Sequence, residues 1–265
     1  PLIISNAGAN DLLDSSDFLF RTSFRNRVGD YAAGQFLAEQ VPDGVFVIGA
    51  DYAAGHEHIG GFIDGYTEGG GEIVGEVYTP FGTTTDFQPY LNDIQNSGAS
   101  AVYAFYAGGE AISFLQQFKE FGLDASIQLY GYALTSEEVI EAQGDAAVGV
   151  QSVTWYTPSL DNPTNEAFVE HYTETYGSVP TIYSAQSYDS AGLLDAALAS
   201  IDGDVTSDSL TAALAAVEVL DSPRGEITLV DRDVEQAYYM IEAVEGDDGL
   251  VNEITDELGV YPVDS

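Results

Sequence analysis

The sequence predicts an α/β fold in which helices cover both faces of a parallel sheet. Residues 45–155 repeat a unit made of an apolar strand, a loop of small residues and an amphipathic helix. The strands of these units are apolar on both sides, as parallel strands are when they lie between two layers of helices. Because crossovers between such units are right-handed, the loops that follow the strands share one edge of the sheet. Ligands bind at that edge in folds of this class.

The clearest unit runs from Val45 to Tyr66. It begins with the apolar run 45–48, continues into a loop from Gly49 to Gly55, and ends in a helix. Ile59, Phe62, Ile63 and Tyr66 form the apolar stripe of that helix. The loop lacks the GxGxxG spacing of a dinucleotide-binding turn, and the single lysine, Lys119, lacks the glycine frame of a phosphate-binding loop. No nucleotide site is therefore predicted.

The same patterns predict the remaining elements. Inside 45–155 we expect strands over 72–78, 101–105, 127–130 and 148–154, and helices over 87–96, 110–121 and 136–143. Outside it we expect strands within 1–9, 18–22, 224–229 and 236–244, and helices over 31–40, before Gly177, over 181–200 and over 209–217. The acidic segment from Gly246 onward is expected to be loose.

Charge is the outlying feature of the composition. The chain has 44 Asp and Glu against 6 Lys and Arg, a formal net charge of −38. Charges of one sign at this density repel in dilute buffer and are screened at molar salt. The acids are scattered through every segment, which favours salt adaptation over a localised surface for a basic partner. Nucleic acid is not expected as a partner, because phosphate binding needs clustered basic residues.

Catalytic and metal-binding signatures are weak. The sequence contains no cysteine, which excludes disulfides and thiolate chemistry. It also contains no GxSxG motif. His56, Glu57 and His58 are adjacent, but positions i and i+2 of a helix do not share a face, so we expect a solvated helix start. No cofactor and no metal are predicted. Paired carboxylates carry no signal in so acidic a chain, so a salt-adapted α/β hydrolase stays open as an alternative.

Two groups of residues allow a functional and a structural interpretation. Arg21, Arg25 and Arg27 either neutralise local acids or include one that offsets an anionic ligand. Aromatic residues gather at the strand ends, where they either pack the core or line a ligand cleft. We favour the cleft for most of them and core packing for Phe105. The aromatic residues of this group are Tyr52, Phe105, Tyr106, Tyr130, Tyr132, Trp155 and Tyr156.

Several stretches resemble the substrate-binding proteins of ABC importers that have the type I periplasmic-binding fold, of the leucine/isoleucine/valine-binding kind. They are ISNAGA (4–9), FLFRTSF (18–24), GADYAAG (49–55), GEVYTPFGTTTDFQPYLNDI (75–94), AVYAFYAGGEA (101–111), LDNPTNEAFVEHYTETYG (160–177) and DSPRGEITL (221–229). The resemblance implies two α/β lobes, parallel sheets flanked by helices, that close on a small ligand about a hinge. It assigns residues 1–40 to the remainder of the first lobe and the crossover, 45–155 to the second lobe, 156–220 to helices returning to the first, and 221–265 to hinge-proximal strands and an acidic tail.

The resemblance also implies that the first lobe is incomplete. In the family this lobe begins with several βαβ units that are missing here, and the chain starts at Pro1 in a strand-like segment. We therefore expect a fragment or processed form whose first lobe has an open sheet edge and exposed apolar surface. Self-association of this form is predicted.

The resemblance further implies the ligand contacts. A ligand carboxylate is expected at the first-lobe loop, and Asn26 falls near the family's partner for a ligand amine, which is usually an aspartate. An amide there fits an aromatic or other small carboxylate at least as well as an amino acid. The residues implied are Asn6, Ala7, Gly8, Ala9 and Asn26, and from the second lobe Tyr52, Tyr106, Ala107, Gly108, Tyr130 and Tyr132.

These observations predict an extracellular or surface-anchored solute-binding protein that performs no chemistry on its ligand. Its partners are expected to be a small organic acid or amino acid and the membrane permease of an ABC importer. The alternatives from other classes are the hydrolase and a ligand-sensing regulator built on the same lobes.

Overall fold

The computed structural model describes residues 1–247 and 249–263. Its strands are β1 (Leu2–Ile4), β2 (Leu19–Arg21), β3 (Val45–Asp51), β4 (Ile73–Pro80), β5 (Ala101–Phe105), β6 (Gln128–Tyr132), β7 (Gln151–Thr154), β8 (Val219–Ser222), β9 (Gly225–Val230), β10 (Asp233–Gly246) and β11 (Gly249–Tyr261). Its helices are α1 (Asn26–Gln40), α2 (Ala53–Glu68), α3 (Gln88–Ser97), α4 (Gly108–Glu120), α5 (Ile140–Gln143), α6 (Pro163–Tyr176), α7 (Ile182–Ser200) and α8 (Ser207–Ala215).

A nine-stranded sheet organises these elements, in the order β4-β3-β5-β6-β7-β10-β9-β8, with β11 paired to β10. The five strands from β4 to β7 are parallel, as the repeated units predict. Strand β10 runs antiparallel and belongs to both halves. Its residues 239–242 pair with β7, and its residues 233–235 pair with β9. One continuous strand therefore joins the parallel sheet to the smaller β8-β9 part.

The parallel sheet has a hydrophobic core on each face, because side chains along a strand alternate between faces. On β3, Val45 and Val47 pack into the cluster that contains α1 and α2, whereas Phe46 and Ile48 pack into the cluster that contains α3 and α4. Both clusters are buried, so the prediction of a sheet covered on both sides is confirmed. A third cluster, around Phe20, lies outside the sheet's parallel part and joins α7, α8, β8 and β9.

Helices α1 and α2 pack at close range. A Cβ on Gly65 would lie 2.1 Å from the carbonyl oxygen of Tyr31, and one on Gly34 would lie 2.5 Å from that of Phe62. Glycine at these positions lets the two backbones approach. These contacts hold the second half of α2 against α1, and the packing of the two helices positions part of the site described below.

Several element boundaries differ from expectation. Helix α1 begins at Asn26, five residues before the predicted start at 31. The predicted loop 49–55 is mostly structured, because β3 runs to Asp51 and α2 begins at Ala53. The predicted helix over 136–143 is reduced to α5, since turns fill the preceding residues. Helix α8 begins at Ser207 behind a Thr206 capping box, where 209 was expected.

The prediction of a loose acidic end is wrong for the described residues. Strand β11 pairs with β10 over most of its length, and Asn252 on it is buried. Its acidic side chains occupy the exposed positions of an edge strand, where charge protects against unwanted pairing. Residues 248 and 264–265 lie outside the described part. Strand β8 was also missed.

None of the described helices is long and apolar enough to cross a membrane.

Candidate ligand-binding site

A cavity of about 380 Å³ lies at the carboxyl ends of the parallel strands. Its wall is formed from one side by the loop after β1 and from the other by the loops after β3, β5 and β6. The start of α7 closes it. Of the residues predicted for the site, the structure brings together Asn6, Gly8, Ala9, Asn26, Tyr52, Tyr106, Ala107, Gly108 and Tyr132.

Two predicted residues do not line the cavity. The side chain of Ala7 is exposed, and its carbonyl oxygen instead accepts a hydrogen bond of 3.0 Å from Ser23 Oγ. Tyr130 packs in the core because β6 extends two residues further, to Tyr132. The predicted strand ended at 130, so the sheet edge was placed too early.

Two helix N-termini converge on the cavity. Tyr52 is the N-cap of α2 and Ala107 is the N-cap of α4, and neither helix has a side-chain cap. The amides of a helix's first turn have no partner within the helix, and they carry the positive end of its dipole. Ala53, Ala54 and Gly108 of these first turns line the cavity. The arrangement favours an anionic group on the ligand.

Aromatic rings form most of the remaining wall. Tyr52 stacks on Phe81 with ring centroids 4.1 Å apart, and Phe24 lies 4.4 Å from Trp155. Trp155 is 1% exposed and Phe105 is 7% exposed, so each belongs to the core and to the cavity wall at once. Phe105 therefore packs in the core, as expected, and also lines the cavity.

Carboxylates approach the cavity from both sides. Glu57 accepts 2.7 Å from Asn26 Nδ2 and 3.3 Å from the backbone amide of Asn10, which ties α2 to the loop after β1. Glu138 accepts 2.7 Å from Ser136 Oγ. Burial and then the charge and hydrogen bond of Glu138 raise the pKa of Tyr183 to about 12, so the Tyr183 hydroxyl stays protonated across the cavity.

A buried polar network supports one wall. Nδ1 of His58 lies 2.6 Å from Asp30 Oδ2, and the Tyr103 hydroxyl donates to Asp30 Oδ1 at 2.6 Å. Burial raises the pKa of Asp30, and the charge of His58 opposes that increase. His56 is exposed, as expected of a solvated helix start, but the same expectation is wrong for His58, which is 2% exposed. Among the described residues no group of His, Asp and Glu could hold a metal ion.

The ion pairs of Arg21, Arg25 and Arg27 favour the interpretation in which these arginines neutralise acids. Arg21 and Arg25 pair with buried Asp233, and Arg27 pairs with Asp64 at 3.2 Å. The described cavity lining includes neither arginine nor lysine. An anionic ligand must therefore be held by amides, hydroxyl groups and His58.

A sequence profile for the periplasmic binding proteins matches residues 1–249. The chain belongs to this family. It is 31% identical to a solute-binding protein of an ABC transporter from R. palustris, solved in complex with benzoate, covering 98% of this chain and 72% of that one with a TM-score of 0.88. An ABC transporter substrate-binding protein from Sphaerobacter thermophilus is 34% identical over 98% of this chain and 73% of that one, with a TM-score of 0.91.

Curated relatives agree with this membership. The Leu/Ile/Val-binding protein homolog 6 of Brucella melitensis is 28% identical over 94% of this chain. The chain spans 65% of that relative's length. The family resemblance and the α/β fold inferred from the sequence are thus confirmed, and the fold is partial relative to these relatives. Because the family and the solved relatives are solute-binding proteins, the hydrolase considered from the sequence is set aside.

The sequence interpretation missed the site residues that follow the strand-end loops. Glu57 and His58 sit in the first turns of α2, only a few residues after the loop that was identified. Tyr183 follows the Thr181 cap of α7. The signal that could have found them is their closeness to a helix start at the binding edge. Glu57 and His58 were instead interpreted as part of a solvated helix start.

Proposed function

We propose that this chain is the ligand-binding part of an exported solute-binding protein that captures a small aromatic carboxylic acid and delivers it to the permease of an ABC importer. The observation that carries the proposal is the aromatic cavity between two uncapped helix N-termini. Rings can sandwich a planar ligand while the helix amides bind its carboxylate. Binding requires no chemistry on the ligand.

The cavity's size and wall support an aromatic ligand. About 380 Å³ is at the small end of ligand pockets, which suits a single substituted ring. Tyr52, Phe105 and Trp155 give it flat apolar surfaces. Relatives that are 27% to 31% identical were solved with benzoate, 3,4-dihydroxybenzoic acid and 4-hydroxybenzoate. Their fold covers nearly all of this chain, so a ligand of the same chemical class is the first to test.

A branched-chain amino acid is the second candidate. The curated relatives carry the Leu/Ile/Val-binding name, and one feature of the cavity favours an ammonium group. The Glu57 carboxylate lies beside Asn26, where the resemblance places the partner of a ligand amine. A ligand ammonium could replace the Asn26 amide as the partner of Glu57.

The test is a panel of benzoate, hydroxybenzoates, leucine and phenylalanine at molar salt, read by thermal shift and by Trp155 fluorescence. Aromatic acids should raise the melting temperature and change the emission of Trp155, because its ring contacts the cavity. Ligand recovered unchanged after incubation supports binding without chemistry. A panel in which amino acids bind and aromatic acids do not would reverse the choice of ligand class.

Tyr52→Ala provides the matched variant. Loss of its stacking surface should weaken the binding of aromatic ligands about twofold to tenfold, given about 0.5–1.5 kcal/mol for an aromatic pair. Tyr130→Phe, outside the cavity, should leave the affinity unchanged. Equal affinities for wild type and Tyr52→Ala would remove Tyr52 from the site.

A further inference from the structure

One cavity residue has a role that the aromatic wall does not explain. His58 stacks on Phe105 with ring centroids 3.7 Å apart, and its Nδ1 is bound to Asp30. No hydrogen bond of Nε2 occurs within residues 1–247 and 249–263. The ring lines the cavity, so Nε2 is the nitrogen left for a ligand.

The proton count of the pair decides whether Nε2 donates or accepts. Asp30 is 0% exposed, and a buried carboxylate beside a neutral ring would leave one uncompensated charge in the core. Burial accordingly raises the pKa of Asp30. A net-neutral pair holds one proton between Asp30 and Nδ1 and a second on Nε2. Whether the shared proton sits on the carboxylate or on the ring, Nε2 carries hydrogen in both forms.

We propose that the Nε2–H of His58 is the donor that selects and binds the carboxylate of the ligand, and that Asp30, which Tyr103 holds in place, keeps this nitrogen protonated. The inference rests on the proposed function of the cavity and names the group that recognises the ligand's charge. Glu57 and Glu138 also line this cavity, and their charges repel an anion. A protonated imidazole nitrogen offsets that repulsion at one fixed point of the wall, next to the helix amides.

The tyrosine hydroxyl groups around the pair stay protonated near neutral pH. Burial, and then Asp30, hold the pKa of Tyr103 well above its usual range. Burial also holds the pKa of Tyr132 well above its usual range and raises that of Tyr238, so these hydroxyls stay neutral. The groups that face the pair are therefore Tyr103 on β5, Tyr132 on β6 and Tyr238 on β10, with Glu57 next to it on its own helix. Carboxylate binding should weaken as rising pH removes the proton from the pair.

The experiment compares benzoate with its uncharged analogue benzamide by fluorescence or calorimetric titration between about pH 5.5 and 9.5. His58→Phe keeps the stacking on Phe105 and removes the donor. It should weaken benzoate about tenfold to a hundredfold, the range expected for a hydrogen bond to a charged group, and change benzamide little. The loss of benzoate affinity at high pH should disappear with it.

Three further variants separate the role of the ring from its packing. His56→Phe, at the exposed histidine on the same helix, should behave as wild type. Tyr103→Phe should leave His58 in place and move the loss of benzoate affinity to a different pH. His58→Gln keeps an amide donor, so it should retain much of the affinity and lose the pH dependence, and it serves if His58→Phe does not fold.

The outcomes distinguish this inference from the proposed function. If wild type binds benzoate with an affinity that does not change with pH, and His58→Phe binds it equally well, the role of His58 is overturned and the proposed function stands. Wild type that binds no aromatic acid overturns both. If leucine is the ligand that binds, the same comparison is made with leucinamide. Equal effects of His58→Phe on leucine and leucinamide would then overturn the inference.

Discussion

Replacing Asp233 by Asn should destabilise the fold more than any surface charge change. Asp233 begins β10, the strand that joins the parallel sheet to the smaller part of the structure. Its Oδ1 accepts 2.8 Å from Arg21 Nε and its Oδ2 accepts 2.7 Å from Arg25 Nε. Arg21 also donates to the carbonyl oxygen of Ala9 at 2.8 Å, so one carboxylate anchors β2, the start of α1 and a loop of the cavity.

The magnitude follows from burial. The side chains of Arg21 and Asp233 are 0% and 1% exposed. An amide at position 233 turns NH₂ hydrogens toward a guanidinium and leaves the Arg21 charge uncompensated. Breaking a buried pair in this way costs about 3–5 kcal/mol. At about 2–4 °C per kcal/mol for a chain of this size, the melting temperature should fall by about 6–20 °C.

Asp64→Asn is the matched control, since it removes the same charge from an exposed pair with Arg27. That change should cost about 1 kcal/mol or less. Both variants are compared with wild type by urea and thermal unfolding at molar salt, where surface charges are screened and the buried pair is not. An Asp233→Asn protein that loses no more stability than Asp64→Asn would refute the reasoning.

The pH dependence of the stability difference between wild type and Asp233→Asn is a second check. Burial acts to raise the pKa of Asp233, but the hydrogen bonds and charges of Arg21 and Arg25 outweigh it and hold the pKa below the usual 3.8. The stabilisation is therefore complete above that value and is lost as the pH falls through the lower value of the folded state. The difference between wild type and Asp233→Asn should be constant near neutrality and shrink in strong acid.

Three other predictions concern charge and surface. Burial raises the pKa of Glu137 to about 7, so between pH 4.5 and 7 the native state binds a proton that the unfolded state does not, and stability should fall as the pH rises across that range. The unfolding free energy of Glu137→Gln should depend less on pH there, and a pH dependence equal to that of wild type would contradict the shift. The net charge of −38 predicts that the melting temperature rises from dilute buffer to molar salt, and a flat profile would contradict salt adaptation. Exposed Tyr176, Leu194 and Leu198 on α6 and α7 favour self-association, which light scattering should detect and Leu194→Gln should reduce; a compact monomer at all concentrations would contradict it.

The strands of the parallel sheet could be predicted because their signal is local. The apolar runs of β3 and β5 exclude an exposed position, so both faces had to be covered. Strand β11 could not be predicted in this way. Its acids look like a solvated tail, and only pairing with β10 distinguishes an exposed edge strand from a loose end. The helix expected over 136–143 is reduced to Ile140–Gln143, because the residues before it form turns that contribute to the cavity wall.

The candidate site divides along the same line. Tyr52 and Tyr106 follow their strands directly and Tyr132 is the last residue of its strand, so a parallel sheet is enough to bring them together. The pair of Asp30 and His58 depends on the packing of α1 against α2 across 28 residues of sequence. Without knowledge of that packing, the spacing of His56 and His58 predicts only a solvated helix start.

The distribution of positive charge connects the stability of this fold with its binding chemistry. The chain has six cationic side chains, and Arg21, Arg25 and Arg224 bind carboxylates at the junction of its two parts. These arginines stabilise the junction at β10, but the described cavity wall is left without a permanent cation. Backbone amides at helix N-termini and one histidine proton can supply the missing positive potential without adding a side-chain cation to the wall. His58 is buried, so the salt that screens the acidic surface leaves its attraction for a bound carboxylate largely intact.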